Sequence, residues 1–288
     1  MLINTWQFNL ILTLIFVVLF YQFYKLAVKN VKKDGAATII LQLIAGLSIL
    51  VWAPLFSLNF PNFSSNLKIY GLLFLATIFY AVNDRLQTTA RKNLEVSVFS
   101  IVNQLSNVFI IIIGFAVFRE SFVIYKIFGA LLILVGNAYL FYEKGKFKLN
   151  KYVMVAIFAN MSFAIAMSTD IGISKLFNLP IYIAITLIIP ALMVKVVEKI
   201  PITTIIEEYR NGNKKYFYAA GIFWGLSILF SLRSFQLGEV TTIAPLQSTS
   251  VLLTVLVAYS LLKERENLLK KIISALIVII GISLTVLG

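Results

Sequence analysis

Asn103, Gln104 and Asn107 stand together inside the apolar run VSVFSIVNQLSNVFIIIIGFAVF, and Gln247, Ser250 and Thr254 inside IAPLQSTSVLLTVLVAYSLL. On a helix Asn103 and Asn107 share a face at i and i+4, as do Gln247, Ser250 and Thr254 at i, i+3 and i+7. Amides and hydroxyls in apolar surroundings do hydrogen-bond chemistry: they bind a polar solute or tie helix to helix, and both roles stay open for each residue. A second group is Asn160, Ser168, Thr169 and Asp170, and a third is Asp84 beside Arg85. Asp170 and Asp84 are candidates for proton coupling; equally, each reads as an interfacial helix end, where Arg85 snorkels. Tyr80 and Trp224, with Tyr21 and Tyr24, either wall an aromatic pocket or populate the membrane interface. The chain has no histidine and no cysteine. The commonest general base, the thiol nucleophile, disulfides and cysteine metal sites are therefore excluded, and no enzyme, metal or cofactor is expected.

The elements that must hold these residues are membrane spans. Of the 288 residues, 60% are hydrophobic and 13% charged, and the mean hydropathy is +0.93. Soluble domains carry about 25% charged residues, and apolar runs of about 20 residues cross a bilayer. Ten such runs are predicted: 6–24, 36–56, 69–86, 96–118, 125–142, 152–177, 180–197, 217–235, 243–262 and 269–287. Connections are short, and the lysine-rich YEKGKFKLNKY separates the halves. The first run lacks a basic leader and a small-residue cleavage site, so it is read as a mature helix.

The two halves repeat. A shift of 144 residues, half the chain, places Glu95 on Glu239, Glu120 on Glu264, Tyr80 on Trp224 and Asn103 on Gln247. Gly129 and Gly136 in the fifth run answer Ser274 and Gly281 in the tenth, with one residue inserted after Glu264. Five spans per copy is odd, so the second copy must enter the membrane from the opposite side. The expected architecture is all-α, ten transmembrane helices as two inverted five-helix repeats, 1–146 and 147–288. The polar faces around Asn103 and Gln247 should then meet at the central axis. The four repeat-marking glutamates sit at helix boundaries and read as caps. Pro245 bends or merely starts its helix, and Gly221 and Gly225 form a close-packing GxxxG face.

The net charge of +13 does not imply nucleic acid, because the basic residues lie in short loops rather than on one face. Lys68, Arg119, Lys126, Lys175 and Arg233 occupy the even-numbered loops, and every other lysine and arginine lies in the odd ones. By the positive-inside rule the odd loops are cytoplasmic and both termini are outside.

Two stretches, FRE…IFGALLILVG and LKE…SALIVIIG, resemble the ends of the paired EamA-type repeats of the drug/metabolite transporter superfamily. In that family a Gly-Glu-Arg-like turn closes the fourth helix and a GxxLIxxG helix follows. FYQFYKLAVKNVKKDGAATIILQLIAGLSILVWAPL is similar to the family's first helix pair, and SFQLGEVTTIAPLQSTSVLLTVLVAYSLLKE to its eighth-to-ninth passage. The chain departs from the pattern at Arg119 and Lys263, where the turn glycine would stand, and at Asn107 and Val251, where a proline is frequent. The resemblance implies a secondary transporter in the cytoplasmic membrane of a bacterium, exporting a small polar metabolite such as an amino acid. Its alternatives are a facilitator or channel-like protein, or another substrate class: nucleotide sugar, sugar phosphate, quaternary amine or drug. The partners implied are a small solute, the lipid bilayer and a coupling ion or proton, in a monomer or homodimer. The resemblance also implies cytoplasmic termini, opposite to the charge distribution. No ATP-binding G-x-x-x-x-G-K-[ST] loop is present, so any driving force is a gradient.

Overall fold

A backbone in hydrocarbon must satisfy its own hydrogen bonds, so apolar runs of this kind fold as helices. The computed structural model describes residues 5–56, 66–116, 123–143, 146–147, 149–170, 173–238, 243 and 246–287. Glu120, Glu239, Pro245 and the side chain of Asp170 lie outside the described part. The helices are α1 Trp6–Val28, α2 Asp34–Leu50, α3 Leu67–Asn93, α4 Val96–Val102, α5 Leu105–Ala116, α6 Ile124–Phe141 and α7 Lys151–Asp170. They continue with α8 Leu179–Val197, α9 Ile202–Asn211, α10 Lys214–Leu237, α11 Ser250–Leu261 and α12 Leu268–Val286. A two-residue ladder pairs Tyr142 with Phe147 and Glu143 with Lys146 at the midpoint linker.

Among the described residues eight helices are long and apolar enough to cross a membrane, with Asp34–Leu50 and Leu246–Leu261 as shorter apolar helices. The protein is an integral, multi-pass membrane protein. Large apolar side chains such as Leu47, Phe74, Ile112 and Phe128 stand exposed on the outer surface, where lipid is their solvent. Several elements depart from the sequence expectation. The third span runs seven residues beyond Leu86, because its polar continuation is covered by other helices. The sixth stops at Asp170, with a short 3₁₀ turn at Ser174–Leu176 in place of its expected end. The amphipathic α9, with Ile202 and Ile206 exposed and Glu208 buried, was not expected from hydropathy at all.

Helices pack mainly across the midpoint of the chain. α1 lies against α10, α3 against α7, α2 against α8 and α10, α4 against α11, and α6 against α12. The α6–α12 contact is set by small residues. A Cβ on Gly281 would fall 2.8 Å from the carbonyl oxygen of Gly129, and one on Gly136 would fall 3.0 Å from that of Ser274. The two backbones thus touch antiparallel, as small residues permit. Gly221 and Gly225 serve α10 the same way against Leu41 and Ala45 of α2.

The odd-numbered loops gather at one end, which is therefore basic. There Glu208 accepts from the backbone N–H groups of Lys32 and Lys33, Lys92 pairs with Asp34 at 2.8 Å, and Arg85 pairs with Glu198. Lys271 meets Glu95 at 2.5 Å. Glu264 accepts from the backbone of Val96 at 2.7 Å and of Ser97 at 3.0 Å, capping α4 from the other half of the chain.

Candidate functional site

The extension of α3 carries the site. Asn83, Gln87 and Arg91 recur at i, i+4 and i+8 and so share one face, and all three are buried. Arg91, 5% exposed, donates from Nη2 to Gln87 Oε1 at 2.7 Å and from Nε at 3.3 Å. Gln87 in turn donates to Asn83 Oδ1 at 2.9 Å and to Asn103 Oδ1 at 3.2 Å. Asn103 closes the chain by donating to the Tyr21 hydroxyl at 3.2 Å. The long arginine side chain leans back toward the start of its helix, which brings its charge level with Gln87 rather than with its own Cα.

Four aromatic rings enclose that charge. The guanidinium carbon lies 4.3 Å from the ring centre of Phe99, 4.5 Å from Tyr21, 4.7 Å from Phe20 and 4.9 Å from Tyr24. Desolvated cation–π contacts reach about 2 kcal/mol, the same order as the ~2.5–3.5 kcal/mol cost of a charge at membrane depth. The cage is what makes a buried arginine tolerable here. Trp224 of α10 stacks on Phe20 with ring centres 4.5 Å apart and donates to Gln42 of α2 at 3.2 Å. Thr88 uses its hydroxyl fully: it donates to the Asp84 carbonyl and is met by Tyr24 at 2.5 Å and Thr38 at 2.7 Å.

Asp84, 8% exposed, sits on this wall rather than at a helix end, so snorkelling does not explain it. Its Oδ1 accepts from Asn83 at 3.1 Å, while Oδ2 is buried without a hydrogen-bond partner. Gln42 of α2 also lies within side-chain hydrogen-bonding reach of the Asp84 carboxyl. Arg91 Nη1 is likewise buried without a partner. Two opposite charges therefore lie on one buried face of α3, with Gln42 beside the carboxyl group and the Tyr21 hydroxyl beside the guanidinium.

The fourth span breaks where its amides lie. α4 ends at Val102 and α5 starts at Leu105, joined by i→i+3 bonds from Gln104 to Ile101 (3.1 Å) and from Asn107 to Gln104 (3.1 Å). Such a mid-helix 3₁₀ turn frees backbone carbonyls. One of them, Val102 O, is taken by Asn160 Nδ2 of α7 at 2.9 Å. Asn160 thus binds backbone, not open space. Gln104 and Asn107 bond each other at 3.2 Å and are half-buried.

A contact at the same spacing, with different chemistry, occurs 144 residues later in the chain. Gln247 donates to Ser231 at 2.7 Å, and its Oε1 is buried without a partner. The Asn103–Gln87 and Gln247–Ser231 bonds each reach back 16 residues. Gln87 and Ser231 are themselves 144 apart, so the two bonds occupy one register position. Thr254 is fully buried with an uncommitted hydroxyl, and its carbonyl accepts from Gln22 at 3.3 Å. Ser250 is half-buried on the same helix.

The expectation that Asn103 and Gln247 meet needs correction. α4 and α11 do pack, but Asn103 turns toward α1 and α3 and Gln247 toward α10. Tyr80 and Trp224 also part, Tyr80 facing Phe163 and Met167 of α7. The structure brings together Asp84, Asn103 and Trp224 of the expected residues. It adds Asn83, Gln87, Arg91, Gln42, Phe20 and Phe99, which hydropathy passed over. The four-residue spacing of Asn83, Gln87 and Arg91 was the signal that could have found them. No metal-binding group of His, Cys, Asp and Glu occurs among the described residues.

Residues 4–142 match the sequence model of the EamA-like transporter family. No curated protein matches the chain. A solved crystal structure aligns over 95% of this chain and 95% of its own, with a TM-score of 0.52 at 12% identity, a likeness of fold alone.

Proposed function

We propose that this chain, which belongs to the EamA-like transporter family of the drug/metabolite transporter superfamily, exports a small zwitterionic metabolite such as an amino acid by alternating access. One observation carries the substrate reading. Asp84 and Arg91 are buried groups of opposite charge on one face of α3, and Oδ2 of the first and Nη1 of the second have no close hydrogen-bond partner beyond the neighbouring Gln42 and Tyr21 side chains. An ammonium group satisfies the first and a carboxylate the second, and an amino acid carries both on one carbon. Leaving either atom unpaired costs about 1–3 kcal/mol or more, so a zwitterion gains what water at this depth supplies poorly.

The arrangement that would move the solute is ten spans in two inverted repeats, 1–146 and 147–288. Its support is the shared register of the Asn103–Gln87 and Gln247–Ser231 bonds, together with the reciprocal pairings α1 on α10 and α3 on α7. Under a shift of half the chain these pairings exchange. A broken helix at the site, with its freed carbonyl held by Asn160, is a recurrent feature of such transporters. In this reading the basic end faces the cytoplasm of a bacterial cell, an ion or solute gradient drives transport, and the protein works as a monomer or homodimer.

The test is counterflow of labelled amino acids in proteoliposomes. Asn103→Ala removes the link between Gln87 and Tyr21, and Gln247→Ala removes the equivalent link in the second half. Each loses about 1–2 kcal/mol of positioning, a 5–30-fold loss in apparent affinity. Undiminished counterflow by the double variant would overturn the assignment of these amides. Counterflow confined to nucleotide sugars, sugar phosphates or quaternary amines would replace the zwitterion reading.

A further inference from the structure

Hydropathy does not anticipate α9, yet the chain on either side of it is closely determined. α8 ends where the N–H of Ile200 donates to the carbonyl of Lys195 at 3.0 Å and that of Lys199 to Val196 at 3.2 Å, with Lys199 left-handed at φ 51°. That pair of bonds stops a helix and sets the direction of the chain beyond it. α9 then begins at Ile202, and its buried Glu208 accepts from the backbone N–H groups of Lys32 and Lys33, just before α2. Ile205 packs into the apolar core. The helix is thus fastened along one face.

Its other faces are open and unlike each other. Ile202 and Ile206, at i and i+4, form an apolar edge, 60% and 43% exposed, while Thr203, Glu207 and Arg210 stand exposed beyond it. In the chain this edge follows Val196 and Val197, the last residues of the span α8, which are 71% and 79% exposed. Tyr209 and Tyr218 have nearly perpendicular rings 6.1 Å apart and hydroxyls at 2.7 Å. Tyrosine is enriched at the headgroup level of a bilayer. Lys199, Arg210, Lys214 and Lys215 are exposed, and no carboxylate pairs with any of them among the described residues. Of the acids in this segment, Glu198 is taken by Arg85 and Glu208 by backbone, which leaves Glu207 against four cations.

We propose that α9 is a membrane-surface helix that docks on anionic phospholipid, with Ile202 and Ile206 in the acyl boundary and Lys199, Arg210, Lys214 and Lys215 on headgroup phosphates. An apolar edge beside a cationic rim fits the two layers of one leaflet, and a helix that offers both lies along the interface. The bilayer already covers the outer face of α8, so its boundary runs on past Val196 and Val197 to α9. Through Glu208 the docked helix holds the start of α2, the helix whose Gln42 accepts from Trp224 at the chamber. None of these contacts depends on which solute is carried.

The chain has no cysteine, so a single introduced thiol reports on one face of α9. Full-length Ile206→Cys and Glu207→Cys, each carrying an environment-sensitive fluorophore, are placed in nanodiscs of phosphatidylcholine with phosphatidylglycerol. The probe at 206 should be quenched by lipid bearing a nitroxide high on its acyl chain and shielded from iodide in the buffer, and the probe at 207 should behave in reverse. Equal access of iodide to both positions overturns the docking and leaves the edge to a soluble partner. Charge selection is read with trace nitroxide lipids of the two headgroups. At low salt the phosphatidylglycerol label should quench the 206 probe about tenfold more than the phosphatidylcholine label. Salt at about 0.5 M should remove that advantage, and Lys214→Gln with Lys215→Gln should lower it about fivefold or more. Equal quenching by the two labels at low salt overturns the proposal. If the labelled variants do not fold, hydrogen exchange of wild type decides. Amides of 202–211 should exchange several-fold more slowly in discs containing phosphatidylglycerol than in phosphatidylcholine alone, and equal rates overturn the selection of anionic lipid.

Discussion

A single side chain, Arg91, organises the chamber because its planar guanidinium does two things at once. Its edge donates twice to Gln87, and its faces lie against Phe20, Tyr21, Tyr24 and Phe99. Lysine cannot reproduce either geometry, since it is a compact, strongly hydrated point charge. Arg91→Lys should keep the net charge of the site, raise KM for the transported amino acid about tenfold and lower the midpoint of thermal unfolding in detergent by several degrees. A variant with wild-type KM would show that the guanidinium does not contact the solute. Gln87 is as central, joining Asn83, Arg91 and Asn103 through one amide. Neither residue stood out in the sequence, because a hydropathy window closes the third span at Leu86 and leaves both in a supposed loop. Asp84 was visible there as a lone carboxylate, but whether it faced water or protein was not.

At the scale of the element, the break in the fourth span is the feature that positions Asn103. α4 is a seven-residue piece held at one end by Glu264 and freed at the other, where Asn160 satisfies the carbonyl of Val102. A helix cut in this way needs such partners, because an unpaired carbonyl in a dry interior is costly. Asn160→Leu should therefore destabilise the protein by roughly 0.6–2 kcal/mol, read as a lower unfolding midpoint, while leaving KM within about twofold. A large rise in KM with unchanged stability would instead return Asn160 to the substrate-contacting set. Of the glutamates expected as caps, Glu264 caps with its side chain, whereas Glu95 makes no side-chain cap bond and pairs with Lys271. Glu264 caps a helix of the other half, a partnership that spacing along the chain does not reveal.

Over the whole molecule the charges divide sharply. The odd-numbered loops meet at one end, and links such as Arg85–Glu198, Lys271–Glu95 and Glu208 to Lys32 and Lys33 join first-half to second-half segments there. The partly exposed Arg85–Glu198 pair contributes about 0–1 kcal/mol, whereas Lys271 and Glu208 are buried, and together the links hold the two segments in register. By the positive-inside rule this end is proposed to face the cytoplasm. Reporter proteins that fluoresce only in the cytoplasm, fused at either terminus, should stay dark, and one inserted in the midpoint linker should fluoresce. The opposite pattern would support the orientation implied by the family resemblance. Under the proposed shift of half the chain, the residues of the site have no chemical match. Asn83, Asp84, Gln87, Thr88 and Arg91 stand 144 residues before Ser227, Ile228, Ser231, Leu232 and Phe235, so the polar face of α3 has no charged counterpart at these positions of α10.

Composition and apolar run length were enough to establish a multi-pass helical membrane protein, since hydrocarbon admits few other solutions for such a chain. A 144-residue offset could be read from spacings such as Glu120 with Glu264 and Asn103 with Gln247, with one residue more between Gly136 and Gly281. Which polar groups share a chamber was not legible. Gln87, Asn103 and Tyr21 are brought within hydrogen-bonding distance by helices from three parts of the chain. Asn103 and Gln247, equivalent in sequence, are turned to different neighbours. Hydropathy is a property of each residue in its own segment, whereas a binding site is a property of the faces that packing turns toward one another.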